Sequence, residues 1–289
     1  MKLRINLPAA GCLCLGVILV ASSCSSPVAV AEFAASAKTA VDQGPVVFAD
    51  LPNSCERREA DRRRDSEILV DTSPGATVPA RCAIFVTESD ALAKASGVLS
   101  DYFQVLNQIA SFGTSTLGTT ASSDAQQLAT QAGLKDGGGI SALAGILVQA
   151  ATEGYQRKRL SEHIKAANPA VQKVTTALAQ VAADDYQNGL LMSEEATLRE
   201  RYGDFAEHTT GRNDPMVFLL RVRWQEDMSG LNQRRAAVAT YISALEKVRQ
   251  GHQQLADQAG KLDSRELTKA LAPYTASLES LASSVHFLK

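Results

Sequence analysis

Aromatic residues are scarce in this chain, at 5% of 289 positions with a single tryptophan, so it offers few stacking platforms for sugars. Neither charge dominates: 29 lysines and arginines stand against 31 acids, for a net charge of -2. Without a basic excess there is no phosphate-neutralising surface, which argues against nucleic acid as a partner. Catalytic signatures are missing too. There is no Gly-x-Ser-x-Gly elbow, phosphate loop or dinucleotide fingerprint. The residues three before His163, His208, His252 and His286 are Leu160, Phe205, Arg249 and Ser283. The Glu-x-x-His pair of a di-metal bundle is therefore absent, and so is a zinc ligand set. No catalytic, metal or cofactor residue is expected.

What is present begins with an address. Lys2 and Arg4 precede an apolar stretch from Ile5 to Val20, broken by Asn6 and Pro8. A membrane span needs ~20 apolar residues, so this stretch suits a signal peptide instead. No twin-arginine pair occurs, which points to the general secretory route. Leu19-Val20-Ala21-Ser22-Ser23-Cys24 resembles the lipobox of bacterial lipoproteins, with Ala21 where that pattern favours leucine. The resemblance implies cleavage before Cys24, acyl chains such as palmitate on that cysteine, and a membrane as partner. Ser25 follows Cys24; in that class a residue other than aspartate there implies the outer membrane, facing the periplasm. Ala29-Val30-Ala31 is the rival site, for ordinary signal peptidase, and would give a soluble periplasmic or secreted protein.

Cys12 and Cys14 fall in the signal, which leaves Cys55 and Cys82 as an even pair beside Cys24. In an exported chain such a pair is expected as a disulfide, stabilising the fold by roughly 3 to 4 kcal/mol. Removing Lys2 and Arg4 with the signal leaves 27 bases against 31 acids. The expected division is signal peptide 1–23, flexible tether 24–44, small cap segment 45–85 and helical bundle 86–289. The tether is rich in alanine, serine and valine. The cap carries the short apolar runs Val46–Phe48 and Ile68–Val70, with turn signals at Pro52-Asn53 and Ser73-Pro74-Gly75. It is expected to be irregular or to hold one short hairpin. Its charge run from Glu56 to Asp65 mixes signs and reads as a solvated face.

From Thr87 the pattern is helical. Leu92, Leu99, Tyr102, Phe103, Leu106 and Ile109 form one stripe at three- and four-residue spacing. Ser123 with Gln126 marks a short helix to about Ala132, and Gly137-Gly138-Gly139 breaks the chain before a helix from Ile140 to Ala167. Asn168-Pro169 reads as the start of a long helix to about Glu207. Its inward residues are Val171, Val174, Leu178, Val181, Leu191, Leu198, Tyr202 and Phe205. Asp214-Pro215 opens another, to about Gln258, with Trp224, Leu231, Val238, Leu245 and His252 on a seven-residue repeat joined by Met228, Ile242 and Leu255. Asp263 with Glu266 opens the last helix, interrupted by Pro273. The fold class is all-α: an elongated antiparallel bundle of four or five helices with a small disulfide-stapled N-terminal segment.

His252 reads as a hydrogen-bonded histidine near the end of the bundle rather than a ligand. Asp184, Asp185, Glu194 and Glu195 read as a solvated face, or as partners for Arg221, Arg223, Arg234 and Arg235. Gly154 to Leu160, continuing through Ala166 to Gln172, resembles a family of predicted helical envelope proteins of proteobacteria, with Leu271-Ala272-Pro273-Tyr274 fitting the same pattern. That family carries no assigned activity, so the resemblance implies no functional residues. The functional expectation is a non-enzymatic cell-envelope lipoprotein acting as a helical scaffold, adaptor or sensor toward another envelope protein or a cell-wall component. Two alternatives stay open. One is a secreted or surface protein that perturbs membranes through the apolar run Ile140 to Ala151. The other is a bundle enzyme using carboxylates of the long helical hairpin.

Overall fold

The computed structural model describes residues 27–64, 80–112, 137–153, 159–208 and 215–284. Cys24 and the lipobox, the run Ile68–Val70 and the Ser123 helix lie outside these residues. Among them the chain is helical, with no strand: α1 Val28–Val41, α2 Gly44–Arg64, α3 Ala83–Phe112, α4 Gly137–Glu153, α5 Leu160–Val181, α6 Met192–His208, α7 Pro215–Asp257 and α8 Arg265–Ser284. A π-helical segment, Ala182–Leu191, joins α5 to α6 without a break. The helices share one core, as the all-α bundle reading expects.

Helix α7 is the spine. Its 43 residues span ~65 Å. The anticipated stripe is inward: Leu231, Val238, Leu245, His252 and Leu255 are buried, and Trp224, Met228 and Ile242 pack half-buried against the core. All six residues of the α3 stripe are buried as well. Ile140, Leu143 and Leu147 of α4 point into the same core, so the apolar run proposed for membrane insertion is inward-facing over these positions. No helix among the described residues is long and apolar enough to cross a membrane.

The N-terminal part departs from its expected division. Residues 28–41 are a helix, not a tether: Val30, Phe33, Ala34, Ala37 and Val41 are wholly buried. The small residues that hide the period in the sequence are what let α1 approach its neighbours closely. The Phe33 ring sits where a Cβ on Gly251 of α7 would lie 2.3 Å away, and it meets Phe103 edge-on at 6.1 Å. The described N-terminal part of the cap, 45–64, is helical too. In α2 the residues Val47, Phe48, Leu51 and Cys55 form a buried stripe, and Pro52 lies inside the helix rather than in a turn. The disulfide joins Cys55 to Cys82, with Cα atoms 5.7 Å apart, and so fastens α2 to the start of α3.

Close pairs fix the directions. Phe33 meets Gly251, Gly44 meets Tyr241 and Asp50 meets Arg234, so α1 and α2 run antiparallel to α7. Asn168 meets Gln253 and Tyr202 meets Trp224, so α5 and α6 run antiparallel to it as well.

Helix boundaries differ from those that the prolines suggest. Helix α5 begins at Leu160, α4 ends at Glu153, and Pro169 lies inside α5. Asn168 is not a cap; its side chain reaches His252 and Gln253 instead. At α8 the capping residue is Ser264, whose Oγ accepts from Leu267 N at 3.1 Å, and Pro273 is again interior.

The π segment has a geometric reason. Val174, Leu178, Ala182, Tyr186, Leu190, Glu194, Leu198 and Tyr202 are all buried, one at every fourth position. In an α-helix each four-residue step overshoots a full turn by about 40°, so such a row would spiral off the core. Hydrogen bonding from i to i+5 widens the turn and brings the row back. Gly189 stands in that stretch, where a Cβ would come within 3.2 Å of the Asp184 carbonyl oxygen.

Candidate functional site

Two polar clusters are enclosed by the helices. The first lies where the π segment and α6 pass α2 and α7. Asp50, Ser54 and Arg57 occupy one face of α2 at helical spacing. Arg57 donates to Asp50 through Nη1 at 3.0 Å and Nη2 at 2.7 Å, and through Nε to Glu194 at 2.8 Å. Ser54 Oγ donates to the other Glu194 oxygen at 2.8 Å. Arg234 on α7 also donates to Glu194, and its Nε stands 3.6 Å from Asp50, within ion-pair range but beyond hydrogen-bond range. The Tyr186 hydroxyl donates to Asp50.

Two arginines thus face two carboxylates, and the Glu194 side chain is only 2% exposed. Burial alone would lower the Arg57 pKa, but its bonds to Asp50 and Glu194 outweigh that and raise it, so the guanidinium keeps its charge. Burial first, then the Asp50 charge, pushes the Tyr186 hydroxyl far above the usual phenol range. It keeps its proton as a donor. A buried pair of this kind is costly to break, because removing one partner leaves the other charge uncompensated. Its direct effect is to hold α2, α6 and α7 in register.

The second cluster surrounds His252, which is fully buried. Its Nε2 lies 2.7 Å from the Tyr102 hydroxyl and its Nδ1 2.9 Å from Asn168 Oδ1. The amide oxygen can only accept, so Nδ1 carries the proton and Nε2 accepts from Tyr102. Both ring nitrogens of a neutral imidazole are satisfied. Burial depresses the His252 pKa from its ordinary 6.5 to about 3. Asn168 Nδ2 in turn donates to Gln253 at 2.8 Å, and Gln172 Nε2 donates to the Arg249 carbonyl at 2.9 Å. This geometry is that of the hydrogen-bonded core histidine the stripe suggests.

The acidic stretch divides. Glu194 reaches Arg234 and Glu195 reaches Arg235, as the pairing alternative anticipates, while Asp184 and Asp185 are exposed. Arg223 is not brought to this stretch; it pairs with Glu226 at 3.5 Å and Asp227 at 3.4 Å on its own helix. Arg221 is exposed and makes no ion pair among the described residues. The charge run of α2 is less solvated than its mixed signs suggest. Glu59 and Asp61 are buried, Arg58 pairs with Glu59 at 3.1 Å, and Arg201 pairs with Asp61 at 2.6 Å.

Asp50 and Tyr186 are the central residues that sequence reading missed. The signal was the spacing of Asp50, Ser54 and Arg57, legible only if that segment is read as a helix. Among the described residues no group of three or more His, Cys, Asp or Glu side chains could hold a metal ion. Comparison with protein-family models, with curated proteins and with solved structures gives no match to this chain.

Proposed function

We propose that the protein is a non-enzymatic lipoprotein of the bacterial cell envelope, anchored through Cys24, whose helical body acts as a scaffold or adaptor. The observation that carries the anchoring is where the core begins. Helix α1 starts at Val28, and Ala29 and Val30 are already buried. Cleavage after Ala31 would remove that buried first turn. Cleavage before Cys24 leaves it whole, with two residues, Ser25 and Ser26, and at most about 11 Å of chain between Cys24 and Pro27.

Support for a scaffolding role comes from the direction of the helices. Because α1 runs antiparallel to α7, the anchored end lies beside Gly251, and Pro215 lies ~54 Å farther along the spine. A rod of that length holds its far end well away from the surface at which it is fixed, and two enclosed polar clusters keep its helices in register. The partner it presents that end to would be another envelope protein or a cell-wall component.

The test is the mass of the N-terminal peptide of native protein taken from a membrane fraction. An acylated peptide beginning at Cys24 is expected. An unmodified peptide beginning at Glu32 would overturn the anchor and leave a soluble exported protein.

A further inference from the structure

His252 lies where four helices meet, and the groups around it are neutral. From α3 the Tyr102 hydroxyl donates to Nε2, and the Phe103 ring stands edge-on to the imidazole at 6.1 Å. From α5, Asn168 accepts from Nδ1. From α1, the Phe33 ring covers Gly251 and meets Phe103 edge-on. The charged residues of these elements are turned elsewhere. Glu32 of α1 is exposed, and Lys38 reaches Asp42 at 2.6 Å. On α3, Asp101 is half-buried and about 100° around the helix from Tyr102. Lys165 and Lys173 of α5 are exposed, while Arg249 and Glu246 of α7 close on one another at 2.6 Å.

A proton arriving on His252 therefore meets no carboxylate among the described residues. Nε2 already accepts from Tyr102, so a proton there faces the hydroxyl's own, and the hydroxyl must turn out of its bond. A buried cation without a counter-charge is costly, and the fold relieves it by admitting water.

Of the surrounding helices α1 is the least tied. The disulfide fastens α3 to α2, and α5 runs unbroken into the π segment and α6, which Glu194 ties to α2 and α7. Among the described residues no ion pair joins α1 to another helix. Ser36 meets Glu279 at 3.5 Å, and Ser100 donates to Asp42, just past the end of α1, at 2.5 Å. The rest of its attachment is apolar contact by small side chains and Phe33.

We infer that His252 is a proton-operated latch: its protonation releases α1 from α3 and α7, while the bundle held by the disulfide and the Glu194 cluster stays folded. The latch does not rest on the lipid anchor, but its consequence does. In a protein fixed at Cys24, releasing the 14 residues of α1 adds up to ~48 Å of chain between membrane and bundle. Acid would then let the rod stand off the surface.

The test is amide hydrogen exchange of the full-length protein at pH 7.5 and pH 5, each rate divided by that of unstructured chain at the same pH. An opening that returns His252 from a pKa of about 3 to its ordinary 6.5 becomes about 30-fold more populated over that interval. Protection of the α1 amides is expected to fall by that factor, through an opening that mild urea scarcely accelerates. Amides of α6 should exchange only by whole-body unfolding, which urea accelerates steeply. In His252→Asn the protection of α1 should no longer depend on pH. Unchanged α1 protection at pH 5 would overturn the latch. An α1 opening with the same free energy and urea slope as α6 would also overturn it, because the body would then open as one unit. So would a pH effect that survives His252→Asn. The first two outcomes are read on the wild-type protein and stand whether or not the variant folds. None depends on acylation, so the mass of the N-terminal peptide still judges the anchor separately.

Discussion

Glu194 accepts from Arg57 of α2 at 2.8 Å and from Arg234 of α7, so one buried carboxylate on α6 ties three helices together. Glu194→Leu removes the anion and leaves both guanidinium groups facing Asp50 alone. The expected loss is about 3 kcal/mol of unfolding free energy. Arg234→Met should cost less, because Arg57 still meets Glu194. The double variant should lose less than the two singles added together, since the second change no longer strands a charge. Urea unfolding of the four proteins measures this coupling, and strict additivity would show that the cluster does not act as a unit.

Stability should respond to pH through His252. Its pKa is about 3 in the fold and near 6.5 when unfolded, so between these values the unfolded chain binds more protons. Stability is then fully present above pH 6.5 and is lost as pH falls, by up to ~1.4 kcal/mol per unit. Glu195 and Glu246 act in the same direction, because arginine hydrogen bonds lower their pKa, but only below the ordinary carboxylate range. The interval from pH 6.5 to 5 therefore separates His252 from these two carboxylates. In His252→Asn the slope over that interval should vanish even if overall stability drops. A slope that survives the substitution would assign it to another group.

The spine and the α3 stripe are legible because large apolar residues repeat there at helical spacing. Leu231, Val238, Leu245 and His252 advertise one face, and that face is buried. Proline was the least faithful signal. Pro52, Pro169 and Pro273 each suggest a turn, a start or a restart, and each lies inside a helix that its neighbours hold in place. Of the fourfold row, Val174, Leu178, Leu198 and Tyr202 are legible as inward residues, whereas Ala182, Tyr186, Leu190 and Glu194 are not, because a strict period of four belongs to neither an α-helix nor a strand. The ionic cluster was half legible. Glu194 and Arg234 could be paired from the hairpin, but Asp50 and Arg57 sit in a segment whose composition reads as a cap.

The disulfide closes a stretch with a sequence separation of 27 and is wholly buried at both cysteines. In the chain-entropy account a loop of this size contributes roughly 3 to 4 kcal/mol by restricting the unfolded state. Cys55→Ala with Cys82→Ala should lower the unfolding midpoint in urea by the corresponding amount and leave the helical circular dichroism unchanged. Burial should also slow reduction. Dithiothreitol at neutral pH is expected to reduce the bond only as fast as the protein opens, so mild urea should accelerate it. Reduction at the same rate with and without urea would place the sulfurs at the surface.

The packing of Phe33 against Gly251 offers the sharpest test that residues 28–41 belong to the core. A Cβ on Gly251 would meet Cε2 of Phe33 at 2.3 Å and Cζ at 2.7 Å, and an aromatic ring cannot fold away as a flexible chain would. In an exposed helix interior Gly→Ala is stabilising by nearly 1 kcal/mol, through propensity alone. Here the sign should reverse: Gly251→Ala is expected to destabilise by about 1 to 3 kcal/mol through overpacking. Phe33→Leu removes the ring and opens space for the methyl group. In that background Gly251→Ala should become neutral or favourable, giving a coupling larger than either site predicts alone. Thermal unfolding of the four variants measures it. If Gly251→Ala were stabilising in both backgrounds, α1 would not be packed on α7, and the buried first turn that favours cleavage before Cys24 would lose its basis.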